Sequence, residues 1–165
     1  MADDGIKALV FDVFGTVVDW RTSVAREAEE CLSPKGYKLD WLSFADKWRG
    51  KYQPAMEKVR SGGRGFVRLD ILHMENLMEV LQDFAIEEMT EAELDFLNKA
   101  WHRLDPWPDS VAGLLRLKKK FIIGTMSNGN VALMVNMAKN GKLPWDVILG
   151  AEPAQTYKPE AKTYL

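Results

Sequence analysis

Asp12 follows directly on an apolar run, Ile6 to Phe11, and precedes the turn residues Gly15 and Thr16. A carboxylate so placed stands at the mouth of a strand, where backbone N–H groups can converge on it. An aspartate there can attack an electrophilic centre and form a covalent ester, splitting a hard displacement into two easier steps. Two residues on stands Phe14, a ring with no proton to give to a leaving group. Two further polar clusters follow short apolar segments: Ser127-Asn128 after Phe121–Met126, and Lys158 beyond Asp146–Leu149. Ligands of open α/β sheets bind at the carboxyl ends of the strands, so these distant residues are expected to meet in one crevice.

The elements that must position them can be read in order. The apolar residues of Ile6–Phe11 run together instead of alternating, which predicts a strand buried on both faces. Residues 22–104 read as almost all helix. Trp41, Phe44, Ala45, Trp48, Tyr52, Met56 and Val59 recur at helical spacing, with a kink or break expected near Gln53 because of Pro54. Ser61–Gly65 is a loop; its glycines open no P-loop, because no Lys-Ser/Thr pair follows. Leu69, Leu72, Leu77, Val80, Leu81 and Phe84 form a second helical stripe, and a third helix opens on the capping box Thr90/Glu93. Asp105-Pro-Trp-Pro108 breaks the helical run. Beyond it come a helix over Ser110–Lys118, the strand Phe121–Met126, a helix capped by Asn130 and stopped at Gly141, and the strand Asp146–Leu149. Pro159 can open a last helix. Strands alternating with helices through short connections imply an α/β fold, a doubly wound parallel sheet of Rossmann-like kind with an inserted all-helical cap. The expected domains are a discontinuous core, residues 1–19 and 105–165, and the cap, residues 20–104.

Composition narrows the setting. A chain of 165 residues with 47% hydrophobic content can bury a sizeable core. A formal charge of −2 gives no electrostatic footprint for nucleic acid or a membrane surface. The lone Cys31 excludes a disulfide framework and suits a reducing compartment. The acidic start lacks the features of a secretory leader, and no apolar run reaches the roughly 20 residues of a membrane span, so a cytoplasmic protein is expected. His73 and His102 lack metal-ligand spacing, and neither a metal nor a cofactor is expected.

Three motifs carry a family resemblance. FDVFGT (Phe11–Thr16), MSNG (Met126–Gly129) and YKPEAKTY (Tyr157–Tyr164) resemble the nucleophile, hydroxyl and lysine motifs of the haloacid dehalogenase superfamily. Phe14, Tyr164 and Arg49, the last within KWRGKY in the cap, narrow the resemblance to the L-2-haloacid (type II) dehalogenases. The resemblance implies that Asp12 is the nucleophile, Lys158 its cation and Ser127 a receiver of the substrate carboxylate. It places Arg49 and Asn128 at the halide or carboxylate, with Thr16 and Tyr164 orienting Asp12 and substrate, and Trp48 as a possible wall of the pocket.

Phosphatases of the superfamily carry, two residues after the nucleophile, a second aspartate that protonates an alkoxide leaving group. Here that position is Phe14, and a halide leaves without a proton. The expected reaction is therefore hydrolysis of short 2-haloalkanoic acids to 2-hydroxy acids through an aspartyl ester. A Mg2+-dependent phosphatase or phosphonatase, or a truncated non-catalytic relic, are the alternatives. A small 2-haloacid is the expected partner, and related enzymes are often homodimers. Members of this branch run on for some tens of residues beyond the third motif, through an acidic, asparagine-bearing loop that positions water. The C-terminal part of the site is therefore expected to be lacking here.

Overall fold

The apolar stretch ahead of Asp12 forms β1, Ala8–Phe11, in a computed structural model that describes residues 5–164. Residues 1–4, whose acids counted against a secretory leader, and Leu165 lie outside the described residues. Strand β2, Val18–Asp19, leads into five helices: α1 (Trp20–Leu32), α2 (Trp41–Gly50), α3 (Tyr52–Arg60), α4 (Leu69–Asp83) and α5 (Glu91–Asn98). Strand β3, Asp105–Pro106, closes the helical segment by pairing antiparallel with β2, Val18 opposite Pro106 and Asp19 opposite Asp105. Both ends of the insertion are thus pinned to each other. There follow α6 (Ser110–Lys118), β4 (Ile122–Ser127), α7 (Val131–Gly141), β5 (Val147–Gly150) and the short α8 (Ala151–Ala154).

The main sheet among the described residues is parallel, in the order β1-β4-β5. Phe11 lies opposite Thr125, and Ser127 opposite Gly150, so Asp12, Asn128 and the chain leading to Lys158 all emerge at the same carboxyl edge. No described helix is long and apolar enough to cross a membrane.

Local chemistry explains the helix boundaries. Asp19 and Asp40 accept hydrogen bonds from the N–H groups of Thr22 and Ser43, capping α1 and α2. The Thr90/Glu93 capping box is formed in full at α5, which continues as a 3-10 turn through His102. The break expected near Gln53 falls instead at Gly50–Lys51, between α2 and α3. Proline acts one turn upstream: Pro54 offers no N–H to the Gly50 carbonyl and its ring crowds that group.

Three other expectations are corrected. β1 is half-exposed rather than buried on both faces, with Val10 53% accessible, because alternate residues face opposite sides of the sheet and one side is left open. Helix α7 stops at Gly141 as expected, and the left-handed residue is the next one, Lys142 (φ 52°). Gly141 is helical, where a Cβ would come within 3.2 Å of Pro106. Beyond Pro159 the chain forms only a 3-10 turn, Ala161–Tyr164. Asn130 occupies the N-cap of α7, yet its side chain makes no capping bond; Glu152 accepts from the Val131 N–H at 2.8 Å.

Core packing centres on the helices. Trp48, Trp101, Phe44 and Tyr157 are almost wholly buried. Trp101 stacks on His73 at 4.5 Å between ring centroids and meets Trp48 edge-on at 5.5 Å.

Candidate active site

The turn after β1 is built around Gly15, whose φ of 86° lies in the left-handed region that favours glycine. Thr16, Val17 and Val18 all donate backbone hydrogen bonds to the Val13 carbonyl, curling the chain back beside Asp12. The Thr16 hydroxyl donates to Asp12 Oδ2 at 3.0 Å, and Lys158 Nζ donates to Asp12 Oδ1 at 2.7 Å. Asp12 keeps 46% of its side-chain surface accessible, whereas Lys158 keeps 20%. The carboxylate is oriented on both sides yet open to a ligand.

Lys158 is itself held from two directions. Its N–H donates to Asn128 Oδ1 at 2.8 Å, and its carbonyl accepts from Arg60 Nη1, on α3, at 3.0 Å. With its Oδ1 so fixed, the Asn128 amide presents its NH2 as a donor.

A cleft of about 330 Å³ opens over these groups. It brings together six residues singled out from the sequence: Asp12, Phe14, Arg49, Asn128, Lys158 and Tyr164. Phe14 serves two ends, walling the cleft while packing edge-on to Trp101 at 6.2 Å. Thr16 does not line the cleft but binds Asp12 directly. Two expected contributors lie elsewhere. Ser127 has no accessible surface and does not line the cleft; its hydroxyl accepts from the Gly129 N–H at 3.4 Å and so shapes the turn. Trp48 is drawn into the helical core, 1% exposed, with its indole N–H donating to the His73 carbonyl at 3.0 Å.

Arg49 is the most unusual group in the cleft. Its guanidinium carbon lies 3.8 Å from the Tyr52 ring centroid and 5.5 Å from that of Trp20. Its Nη1 is buried without a hydrogen-bond partner, and no carboxylate among the described residues pairs with it. A guanidinium packed on aromatic rings without a carboxylate partner can take a bidentate anion.

Tyr52 and Gln53 also line the cleft and were not among the candidates. Tyr52 could have been found three residues on from Arg49 along the same helical stripe. Gln53 carried no signal, since its place depends on the break before α3. A further set was also missed: His102 Nε2 donates to Asp70 Oδ1 at 3.0 Å, and Asn130 Nδ2 donates to Asp70 Oδ2 at 2.8 Å.

Comparison with known proteins identifies the family of the chain. The family model described as haloacid dehalogenase-like hydrolase matches residues 6–165. The (S)-2-haloacid dehalogenase 4A of Burkholderia cepacia is 29% identical over 164 residues, covering 98% of this chain and 68% of its own length. The crystal structure of the defluorinating L-2-haloacid dehalogenase Rha0230 is 48% identical with a TM-score of 0.94, over 96% of this chain and 66% of that one. That of the L-2-haloacid dehalogenase PA0810 is 40% identical with a TM-score of 0.92, over 97% and 68%. The chain spans about two thirds of the length of these relatives. The chain belongs to the haloacid dehalogenase-like hydrolases.

Proposed function

We propose that the protein hydrolyses short 2-haloalkanoic acids to 2-hydroxy acids. The observation that carries this reading is the placing, in one cleft, of the salt-bridged Asp12–Lys158 couple and of Arg49, which has no carboxylate partner among the described residues, beside a phenylalanine that can donate no proton. An Asp12 oxygen attacks C2 from the face opposite the halogen. The carbon–halogen bond breaks with its electron pair, and halide departs toward the Arg49 guanidinium and the Asn128 amide. Water then attacks the carbonyl carbon of the Asp12 ester, expelling the 2-hydroxy acid and regenerating the carboxylate with release of a proton. Lys158 offsets the charge of Asp12 and Thr16 fixes the direction of its lone pairs. Tyr164 and Phe14 exclude water from the reacting carbon. In this scheme residues 1–19 and 105–165 act as the core and residues 20–104 as a cap that brings Arg49 over the nucleophile.

The relatives carry names that specify L-2-haloacids and, in one case, defluorination; these motivate the substrates to try first. The test is halide release from 2-chloropropionate, chloroacetate and fluoroacetate, with the Asp12→Asn variant alongside. Release by wild type and none by the variant is expected. In a single turnover run in heavy-oxygen water the label should enter the Asp12 carboxylate. Undiminished release by Asp12→Asn, or label entering only the product, would overturn the nucleophile assignment.

A further inference from the structure

Asp70, the second residue of α4, binds Asn130 at two points. Its backbone N–H donates to Asn130 Oδ1 at 3.2 Å, and its Oδ2 accepts from Asn130 Nδ2 at 2.8 Å. The rest of its bonding capacity is also used. Its Oδ1 faces His102 Nε2 at 3.0 Å, its carbonyl accepts from Asn98 Nδ2 at 3.0 Å, and His102 Nδ1 in turn meets Asn136 Nδ2 at 3.0 Å. Burial pushes the Asp70 carboxyl up, but the hydrogen bonds from His102 and Asn130 outweigh it and leave the group below its ordinary value. Asn130 is 1% exposed and makes this pair instead of a capping bond to its own helix. It also ends the loop that begins at Ser127. That loop carries Asn128, which holds the Lys158 N–H, and Lys158 holds Asp12.

We propose that Asp70 and Asn130 form a latch between the helical cap and the Ser127–Asn130 loop, which sets Asn128 and Lys158 in register with Asp12. Both are positioning residues; their consequence for catalysis rests on the proposed dehalogenation, whereas the latch itself does not. A simple helix-capping role for Asn130 makes a different prediction. Aspartate is as good an N-cap as asparagine, so Asn130→Asp would be harmless under that role. Under the latch it sets two carboxylates against each other, and Asp70→Asn added to it restores a donor facing an acceptor while keeping an oxygen for His102.

The test is amide hydrogen exchange on the unliganded protein, read at the Lys158 N–H. Asn130→Asp should speed exchange there by about 10- to 100-fold, the factor set by a hydrogen bond to a charged group. The Asp70→Asn/Asn130→Asp pair should return it to within about twofold of wild type, with Ile123–Thr125 of β4 protected throughout. Should Asn130→Asp lose that sheet protection, Asp70→Ala reads the same amide. Unchanged exchange at Lys158 in the single variants, or no restoration in the pair, would overturn the latch. Where halide release is measured, the latch variants should lower kcat with KM little changed. The exchange readout needs no turnover, so a protein that released no halide would count against the dehalogenase reading and leave this test standing.

Discussion

Acidification from about pH 7 to about pH 5 should destabilise the protein through His73. This residue is 2% exposed on α4, its ring stacked on Trp101, and neither ring nitrogen has a hydrogen-bond partner. Burial drives its pKa from the ordinary 6.5 down to about 3; Asp70 pulls upward, while Arg49 and His102 reinforce the lowering. The unfolded chain therefore takes up a proton below about pH 6.5 that the folded chain refuses until about pH 3. Stability is at its plateau above that window and falls through it by about 1.4 kcal/mol per pH unit. Integrated to about pH 5, the loss is about 2 kcal/mol, or about 4–8 °C in Tm for a chain of this size. Asp70, whose pKa is lowered, contributes stability present above its unfolded value of 3.8 and lost below it, so it does not act in this window. The variant His73→Phe keeps a planar ring against Trp101 and removes the titrating group. Urea unfolding of both proteins at the two pH values, followed by tryptophan fluorescence, isolates the effect. Wild type should lose about 2 kcal/mol more than the variant, and parallel losses would refute the reasoning. Near neutral pH the substitution should be close to neutral, since it removes buried polar atoms that nothing satisfies.

Two further outcomes follow from the geometry. Arg49→Lys keeps the charge but loses the planar group stacked on Tyr52, so KM for 2-chloropropionate should rise about tenfold in steady-state halide release; an unaltered KM would place anion binding elsewhere. Gly150→Ala would put a Cβ 2.3 Å from the Ser127 carbonyl oxygen and 3.0 Å from that of Gly129. Both are backbone atoms of the neighbouring strand and its turn, so thermal melts should show a loss of about 3 kcal/mol. Gly65→Ala, with nothing within 4 Å, should leave the melt unchanged.

What could be read from the sequence was whatever depends on neighbours a few residues away. The capping box at Thr90, the stripe from Leu69 to Leu81 and the helix Ser110–Lys118 are local patterns, and all are present. The alternation of strands and helices carried the parallel sheet, and the sheet in turn carried Asp12, Asn128 and Lys158 to one edge. Features set by distant partners were not legible. An apolar run such as Ile6–Phe11 does not say whether both faces of its strand are covered, so the exposure of Val10 was missed. Trp48 and Arg49 are adjacent in sequence, yet one turns into the core and the other toward the cleft. Asn130 has the sequence of a helix cap, and only the approach of Asp70, sixty residues earlier, makes it a cross-link. Ser127 lay within a recognisable motif, but its burial follows from how closely β5 approaches at Gly150.

The antiparallel pair of Val18–Asp19 with Asp105–Pro106 bears on how the chain folds. Ala8 must find Ile122 across roughly a hundred residues, and contacts so distant along the chain form slowly. The intervening helices rest on nearer contacts and can collapse first. Once they bring Asp19 to Asp105, the span left between β1 and β4 shrinks to a couple of dozen residues, roughly, and the entropy of closing it falls accordingly. The ribbon is thus a clamp that converts one long search into two short ones. Asp12 and Lys158 stand 146 residues apart, so their meeting gains from the same shortening.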